Sequence, residues 1–247
     1  MISILKQIDD RTDFTGGQLI LVDKPLGWTS FNVVSKIRFA ISHRLGIKKI
    51  KVGHAGTLDP LATGLVLIGV GKGTKWLTEL QGLDKTYTGT LKLGATTPTY
   101  DAEMPEEDHK DTSDLTLDRV RSTAEMFTGE IEQVPPQFSA VKVDGQRAYK
   151  AARAGKKVEI KGRLVNIYDF DITHDKWPVL SFKVSCSKGT YIRSLVHDLG
   201  QKLGVGAYLT SLHRTRVGPY NIKDAWQLDE LVSAIKDDPA SSTQDAP

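Results

Sequence analysis

Apolar positions along the chain recur with two periods, one typical of strands and one typical of helices. Alternating or continuous apolar runs predict strands at Gln18–Asp23, Leu65–Val70, Lys85–Gly94, Leu164–Ile172, Val179–Cys186 and around Leu209–Val217. Helical spacing predicts helices after Thr29 or Ser30, at Lys75–Leu80, around Leu117–Phe127, after Gly189 and at Leu228–Ile235. Strands joined by both helices and hairpins predict an α/β (α+β) domain with a central, mixed, mostly antiparallel sheet.

The two ends of the chain lack this patterning. Residues 1–17 are polar and end in glycine, which predicts a loose lead-in. Residues 236–247 are polar and contain proline, which predicts a disordered tail. We therefore expect the folded domain to occupy residues 18–235.

Composition restricts the class of protein. Hydrophobic residues make up 39% of the chain and charged residues 26%, as in an ordinary globular protein. The single cysteine, Cys186, excludes an internal disulfide framework and a multi-cysteine zinc site. The N-terminus lacks the apolar core of a signal peptide, and the longest apolar run, Leu65–Val70, is too short to span a bilayer. We therefore expect a cytoplasmic protein with no membrane partner.

Charge is distributed unevenly, although the net charge is only +3. Residues 98–132 hold eleven acidic side chains against three Lys or Arg, and their first half is expected to be an exposed loop facing away from any nucleic acid. Residues 134–163 are basic. A solvated basic helix would explain them, but the adjacent acidic segment favours an RNA-binding face, since such asymmetry steers a polyanion. The cations expected to contact the RNA backbone are Lys142, Arg147, Lys150, Arg153, Lys156 and Lys157. For the cations between Lys36 and Lys51, a solvated face and an RNA-facing patch are equally compatible with the sequence.

One loop places a carboxylate in a rigid setting. Asp59 precedes Pro60, which fixes the next φ angle and disfavours helical geometry at Asp59. The buried strand Leu65–Val70 follows, so the carboxylate is expected on a tight turn beside a core element, as catalysis requires. An ordinary Asp-Pro turn would give the same pattern. A phosphate-binding loop at Gly69–Thr74 is excluded, because Lys72 is followed by Gly rather than by Ser or Thr.

Five stretches, taken in order, resemble one family. They are Asp23–Pro25 with Gly27–Ser30, the Asp59 loop Gly53–Leu65, Lys85–Tyr87, Val134–Lys142 with Gly145 and Ala148–Tyr149, and Gly189–Leu195. Together they resemble the tRNA pseudouridine synthase B (TruB) family over roughly Gln18–Ile235. Within the Asp59 loop, Ala55 stands where many members have Thr.

The resemblance implies a fold, an activity and a partner. The family isomerises the T-loop uridine of tRNA (U55) to pseudouridine, without a metal or a cofactor. Its pseudouridine synthase fold has a central sheet flanked by helices and RNA-binding loops. Residues 18–235 would form the catalytic domain, with a basic RNA-binding insertion at about 134–163. We expect a monomer that binds the T-arm of tRNA, and no complete copy of the C-terminal PUA domain that many members carry.

Carried over onto matching positions, the catalytic residues are Asp59, Tyr87 and Arg193. Asp59 would be the nucleophile, and attack on C1′, attack on C6 and deprotonation of C2′ are three open routes. Arg193 would form a bidentate pair with Asp59, while Tyr87 would stack on the flipped uracil and accept its C5 proton. The substrate-binding set is His54, Tyr191, Leu212 and Lys24, of which Lys24 is expected to support the opening turn.

Two other functions are compatible with parts of the sequence. A tRNA chaperone that opens the T-arm without chemistry would use the same basic segment and would not need Asp59. A phosphotransferase or another α/β enzyme without an RNA substrate is disfavoured, because the chain lacks a Walker pattern and a Gly-x-Ser-x-Gly elbow.

Overall fold

The computed structural model describes residues 2–143 and 145–236, apart from the side chains of His174 and Asp175. In chain order its elements are β1 (Gln18–Lys24), α1 (Ser30–Arg44), β2 (Val52–Ala55), β3 (Ala62–Val70), α2 (Leu77–Gln81), β4 (Lys85–Leu93), α3 (Leu117–Glu125), β5 (Gly129–Gln133), β6 (Lys142–Val143), β7 (Gln146–Arg147), α4 (Ala148–Arg153), β8 (Arg163–Lys176), β9 (Val179–Cys186), α5 (Ile192–Leu203), β10 (Ala207–Val217), β11 (Tyr220–Asn221), β12 (Trp226–Gln227) and α6 (Leu228–Lys236). Short 3₁₀ helices lie at Gly71–Trp76 and Ile222–Asp224.

The chain forms two compact units. The first contains the chain up to Leu83 and from His213 onward, and the second contains Asp84–Leu212. Strand β10 begins in the second unit and ends in the first. The single domain expected over 18–235 therefore spans both units. Most of the predicted tail, residues 237–247, lies outside the described residues, whereas Lys236 is the last residue of α6.

The first unit is built on a mixed set of strands in the order β12-β1-β3-β10, in which β2 also pairs with β3. Strands β1 and β3 are antiparallel over seven residue pairs, from Gln18↔Val70 to Lys24↔Gly64, and β12 joins β1 in parallel. Seven consecutive residues of β3, from Gly64, are buried, which explains why its sequence is continuously apolar rather than alternating. Helix α1 begins at Ser30 and its N-cap is Thr29, one of the two predicted caps, since Thr29 and Asn32 cap each other reciprocally.

The N-terminal segment is attached to this unit, so the expected loose lead-in at 1–17 is wrong for its described residues. The Leu5 amide donates to the Leu19 carbonyl (2.8 Å), and the Trp226 indole donates to the Leu5 carbonyl (3.0 Å). Phe14 is buried in the core. The prediction rested on the mostly polar composition of the segment and overlooked the few apolar side chains that fix it to the core.

In the second unit the strand order is β10-β4-β9-β8-β5, and the β4–β9, β9–β8 and β8–β5 pairs are antiparallel. Helix α5 buries Leu195 and Leu199, as the spacing predicted, and ends at Gly204 in the left-handed conformation (φ 83°). The mixed, mostly antiparallel sheet is confirmed. Within the described residues, no helix is both long and apolar enough to cross a membrane.

Candidate active site

The Asp59 loop is held by hydrogen bonds on both sides of the carboxylate. The loop joins β2 to β3, and the Asp59 side chain is partly exposed. The buried hydroxyl of Ser30, in the first turn of α1, accepts from the Leu58 amide (2.9 Å) and donates to the Leu58 carbonyl (3.3 Å). The Gly27 amide donates to the Pro60 carbonyl (2.8 Å). Asp59 is therefore set between two anchored neighbours.

Lys24 lies under this loop and is fully buried. Its ammonium donates to the carbonyls of Pro25 (3.0 Å) and Trp28 (2.6 Å), so it supports the opening turn as the sequence predicted. Burial lowers the pKa of Lys24 to about 8; the charge of Asp59 opposes this shift and that of Arg214 adds to it. The ammonium is thus within electrostatic reach of Asp59.

Arg214, which was not among the predicted site residues, lies on β10 in the first unit and is 1% exposed. Its guanidinium donates from Nε to the Leu65 carbonyl (2.7 Å) and from Nη2 to the Gly56 carbonyl (3.1 Å). Gly64 makes room for this approach, because a Cβ there would lie 2.4 Å from the Arg214 carbonyl oxygen. In the sequence Arg214 alternates with Arg216 and resembles an exposed strand residue, so no local pattern reveals its burial.

His54 lies on β2, at the start of the same loop, and is half-buried. Burial lowers its pKa, the charge of Arg214 lowers it further, and the Gly56 backbone opposes both effects. The imidazole is therefore neutral at neutral pH. The first unit thus brings together three predicted site residues, Lys24, His54 and Asp59.

Arg193 occupies a buried cage in the second unit. It lies in the first turn of α5, as predicted, and donates from Nη1 to the Thr99 carbonyl (3.0 Å) and from Nη2 to the Phe138 carbonyl (3.1 Å). Its Nη1 also lies 3.5 Å from Oδ2 of Asp101. Arg193 therefore has a carboxylate partner within its own unit that sequence analysis did not identify.

Asp101 is an exception to the prediction that the first half of the acidic segment is an exposed loop, which holds for most of residues 102–114. It is buried, and its Oδ1 accepts from the Glu103 amide (3.0 Å), while its backbone carbonyl accepts from the Thr97 hydroxyl (2.7 Å). Tyr100, at a left-handed φ of 63°, stacks on His197 of α5 with ring centroids 3.7 Å apart. Two neighbouring residues, Tyr100 and Asp101, thus fix the turn to α5. The net charge of the segment could not predict these contacts.

Tyr191 caps the N-terminus of α5 and is held by a buried glutamine. Its amide donates to Oε1 of Gln133 (2.7 Å), and Nε2 of Gln133 donates to the Tyr191 carbonyl (3.1 Å). The Arg163 guanidinium lies over the Tyr191 ring, 4.7 Å from its centroid. The remaining predicted residues of this unit lie on strands: Tyr87 on β4 is 7% exposed, and Leu212 on β10 is half-buried.

The basic segment forms the β6–β7 hairpin and α4, and all six of its predicted RNA-backbone cations are exposed. Gln137 fixes the segment by bonding both backbone groups of Val158 (2.9 and 3.0 Å). Arg153 forms an exposed ion pair with Glu103 (3.5 Å) and lies over the Tyr149 ring. The segment therefore presents positive charge to solvent, as an RNA-binding surface requires.

Several cations of α1 have structural roles instead. Lys36 forms an ion pair with Asp229 (2.6 Å), and Arg44 donates to the Ile235 carbonyl (3.2 Å) at the end of α6. Arg38 donates to the Val52 carbonyl (3.0 Å). These contacts fix α6 and β2 to α1, so this part of the cationic face is accounted for by packing. Among the described residues, no group of three His, Cys, Asp or Glu side chains could hold a metal ion.

Comparison with known proteins identifies the relatives of this chain. Residues 43–192 match the profile of the TruB family pseudouridylate synthase (N terminal domain), and residues 193–244 match the tRNA pseudouridylate synthase B C-terminal domain. A tRNA pseudouridine synthase B of Flavobacterium johnsoniae is 49% identical over 214 residues, which cover 86% of this chain and 93% of that protein. That of Chloroherpeton thalassium is 46% identical over 220 residues, covering 89% and 90%.

Two solved structures share the fold. A chain of a Cbf5–Nop10–Gar1 complex superposes with a TM-score of 0.67 at 27% identity, over 94% of this chain and 60% of that one. A chain of an H/ACA RNP bound to a substrate RNA containing 2′-deoxyuridine gives 0.62 at 28% identity, over 87% and 52%. This chain therefore spans between about half and 60% of the length of those solved chains.

Proposed function

Since this chain belongs to the TruB family of pseudouridylate synthases, we propose that it isomerises the T-loop uridine of tRNA with Asp59 as the nucleophile. The chain is a tRNA pseudouridine synthase, an isomerase, and the target uridine of its family is U55. The observation that carries the assignment of Asp59 is its loop, in which both neighbours of a partly exposed carboxylate are anchored. A nucleophile held in this way needs little reorganisation to reach the reacting atom.

The reaction requires a nucleophile and a proton acceptor but no redox partner. The C1′–N1 bond breaks, the uracil rotates, a C1′–C5 bond forms, C5 loses its proton to solvent and N1 takes up a proton, so the product is an isomer of uridine. The carboxylate of Asp59 suits attack on C1′, attack on C6 or deprotonation of C2′, because it can add and leave again. In each route the uracil must stay in the site between the two bond changes, so a closed pocket is needed.

We propose that residues of the second unit line the pocket for the base. The base is extruded from the T-loop, which costs a few kcal/mol, and is received by Tyr87 and Tyr191, with Leu212 as an apolar wall. Tyr87 exposes 7% of its surface, which suits a wall of a narrow pocket better than an open stacking platform. Arg193 supplies positive charge, and His54, neutral at neutral pH, contacts loop bases by hydrogen bonding.

The basic segment is proposed to hold the RNA backbone through its six exposed cations. Such contacts carry little sequence information, so selection of the uridine would depend on the shape of the T-arm and on the pocket. The enzyme is proposed to act as a monomer. The solved relative with a substrate RNA supports an RNA-binding role for this fold.

The test of the proposed function uses the purified protein and an unmodified tRNA transcript labelled with tritium at C5 of uridine. We expect release of one tritium per tRNA, and pseudouridine at position 55 alone when the product is mapped. A transcript with cytidine at that position is the matched control and should release none. Tight tRNA binding without tritium release would instead identify a chaperone that opens the T-arm.

A further inference from the structure

Arg214 is the largest fully buried side chain of the described residues. A charged group removed from water is strongly destabilising unless its donors are satisfied. The hydrogen bonds of the Arg214 guanidinium go to the neutral carbonyls of Gly56 and Leu65. Neutral carbonyls offset only part of the cost of burying a charged side chain.

The two acceptors of Arg214 lie on opposite sides of Asp59 along the chain. Gly56 precedes the carboxylate by three residues, and Leu65 follows it by six, already inside β3. A planar guanidinium has donors in fixed directions, so it sets the separation between the incoming end of the loop and the strand that follows. The Ser30 hydroxyl then holds Leu58 at the middle of the same loop.

The backbone of β3 is adapted to this contact. Gly64 has a φ of 104°, and its missing Cβ lets β10 approach so closely that any side chain would overlap the Arg214 backbone. A residue with a Cβ would be strained at this φ and would also collide with β10. The loop, the glycine and the arginine therefore form one geometric unit.

The charge of Arg214 also acts on the groups around the loop. Arg214 disfavours the charged forms of both Lys24 and His54, whereas Asp59 favours the charged form of Lys24. Asp59 and Arg214 thus act in opposite directions on one buried ammonium. Removing the guanidinium would change both the shape of the loop and the electrostatic balance beside the carboxylate.

We propose that Arg214 is a positioning residue, which fixes the Asp59 loop through Gly56 and Leu65 and thereby sets the place of the nucleophile. This proposal rests on the proposed function, in which Asp59 reacts with the uridine. It assigns no contact with RNA to Arg214. Its loss should therefore slow the chemical step and leave tRNA binding nearly unchanged.

The experiment compares Arg214→Lys and Arg214→Met with the wild-type enzyme, by single-turnover tritium release and by tRNA binding. Since a misplacement of about 1 Å can slow a reaction about 100-fold, we expect a loss of about 100-fold for Arg214→Met. Arg214→Lys keeps the charge but loses the planar fork, and should lose about 10-fold. The Kd for tRNA should change less than about 3-fold. Tyr220→Phe, which removes a buried hydroxyl bonded to the Ile2 carbonyl in the same unit, should leave the rate unchanged.

Chemical rescue separates positioning from general destabilisation. In Arg214→Ala, added guanidinium should restore part of the single-turnover rate, whereas urea, which is similar in shape but uncharged, should restore little. A folded Arg214→Lys enzyme with the wild-type rate would overturn the proposal, as would equal effects of guanidinium and urea. Absence of tritium release from the wild-type enzyme would contradict the proposed function instead, so the two failures are distinguishable.

Discussion

The guanidinium Nη1 of Arg193 lies 3.5 Å from Oδ2 of Asp101, and both side chains are almost completely buried, with exposed fractions of 5% and 7%. The two residues come from α5 and from an acidic turn that net charge alone would place in solvent. Because the Thr99 and Phe138 carbonyls complete the cage, the guanidinium has little freedom to reorient. Asp101 therefore fixes the position of the positive charge that we propose Arg193 supplies for catalysis.

Removal of Asp101 should affect both stability and rate. In Asp101→Ala the buried Arg193 loses one of its partners, and breaking a buried pair typically destabilises a protein by about 3–5 kcal/mol. We expect a decrease at the lower end of that range in urea denaturation, together with a slower single turnover. Asp111→Asn, a change in the same acidic segment at an exposed residue, is the matched control and should alter neither. Equal effects of the two variants would contradict this role.

The buried ammonium of Lys24 should make stability depend on pH. Its pKa is lowered to about 8 in the folded protein, while the unfolded chain keeps the ordinary value of 10.5. Between these pH values the unfolded state binds more protons, so the contribution of Lys24 to stability rises with pH. The free energy of unfolding of the wild type minus that of Lys24→Met should therefore increase by about 1 kcal/mol per pH unit from pH 8 to pH 10.

Urea denaturation at several pH values measures this difference, and other titrating groups cancel because both proteins contain them. Below pH 8 the difference should be constant. If this difference in the free energy of unfolding instead decreases from pH 8 to pH 10, Lys24 is not held in a desolvated, charged state at neutral pH.

Neutralising two lysines of the basic segment should weaken tRNA binding in a salt-dependent way. Each phosphate contact contributes roughly 0.7–0.9 to the slope of log K against log salt concentration. We expect Lys156→Gln with Lys157→Gln to reduce that slope by about 1–2, as measured by filter binding over a range of salt concentrations. Lys202→Gln with Lys223→Gln, also two exposed lysines, is the control. Equal slopes for both double variants would favour a solvated basic helix.

The helices and strands with a clear period of apolar residues were predicted from the sequence. Strand β9 and helix α6 agree with their predicted bounds to within one residue. Tyr191 and Arg193 lie at the start of α5, as the helix predicted after Gly189 indicated. Strand β5 was not predicted, because Ile131 is the one apolar side chain among its five residues and the strand lies at the end of an acidic segment. Short strands depend on pairing with neighbours, here β8, more than on their own composition.

The site residues that sequence analysis missed share one physical cause. Arg214, Asp101 and Gln133 are polar side chains that tertiary structure buries, and each has partners distant in sequence. Local patterns treat a polar residue as exposed, since burial of such groups is rare unless they are hydrogen-bonded. Their partners become recognisable only when the strands and turns are assembled.

The most direct test of the account is the Asp59→Asn variant, which removes the carboxylate proposed as the nucleophile and leaves the side-chain shape nearly unchanged. Tritium release from C5-labelled tRNA should fall at least about 1,000-fold, as expected when an essential reacting group is lost. The Kd for the same tRNA should remain within about 3-fold of the wild-type value. Tritium release at the wild-type rate from this variant would contradict the assignment of Asp59 as the nucleophile.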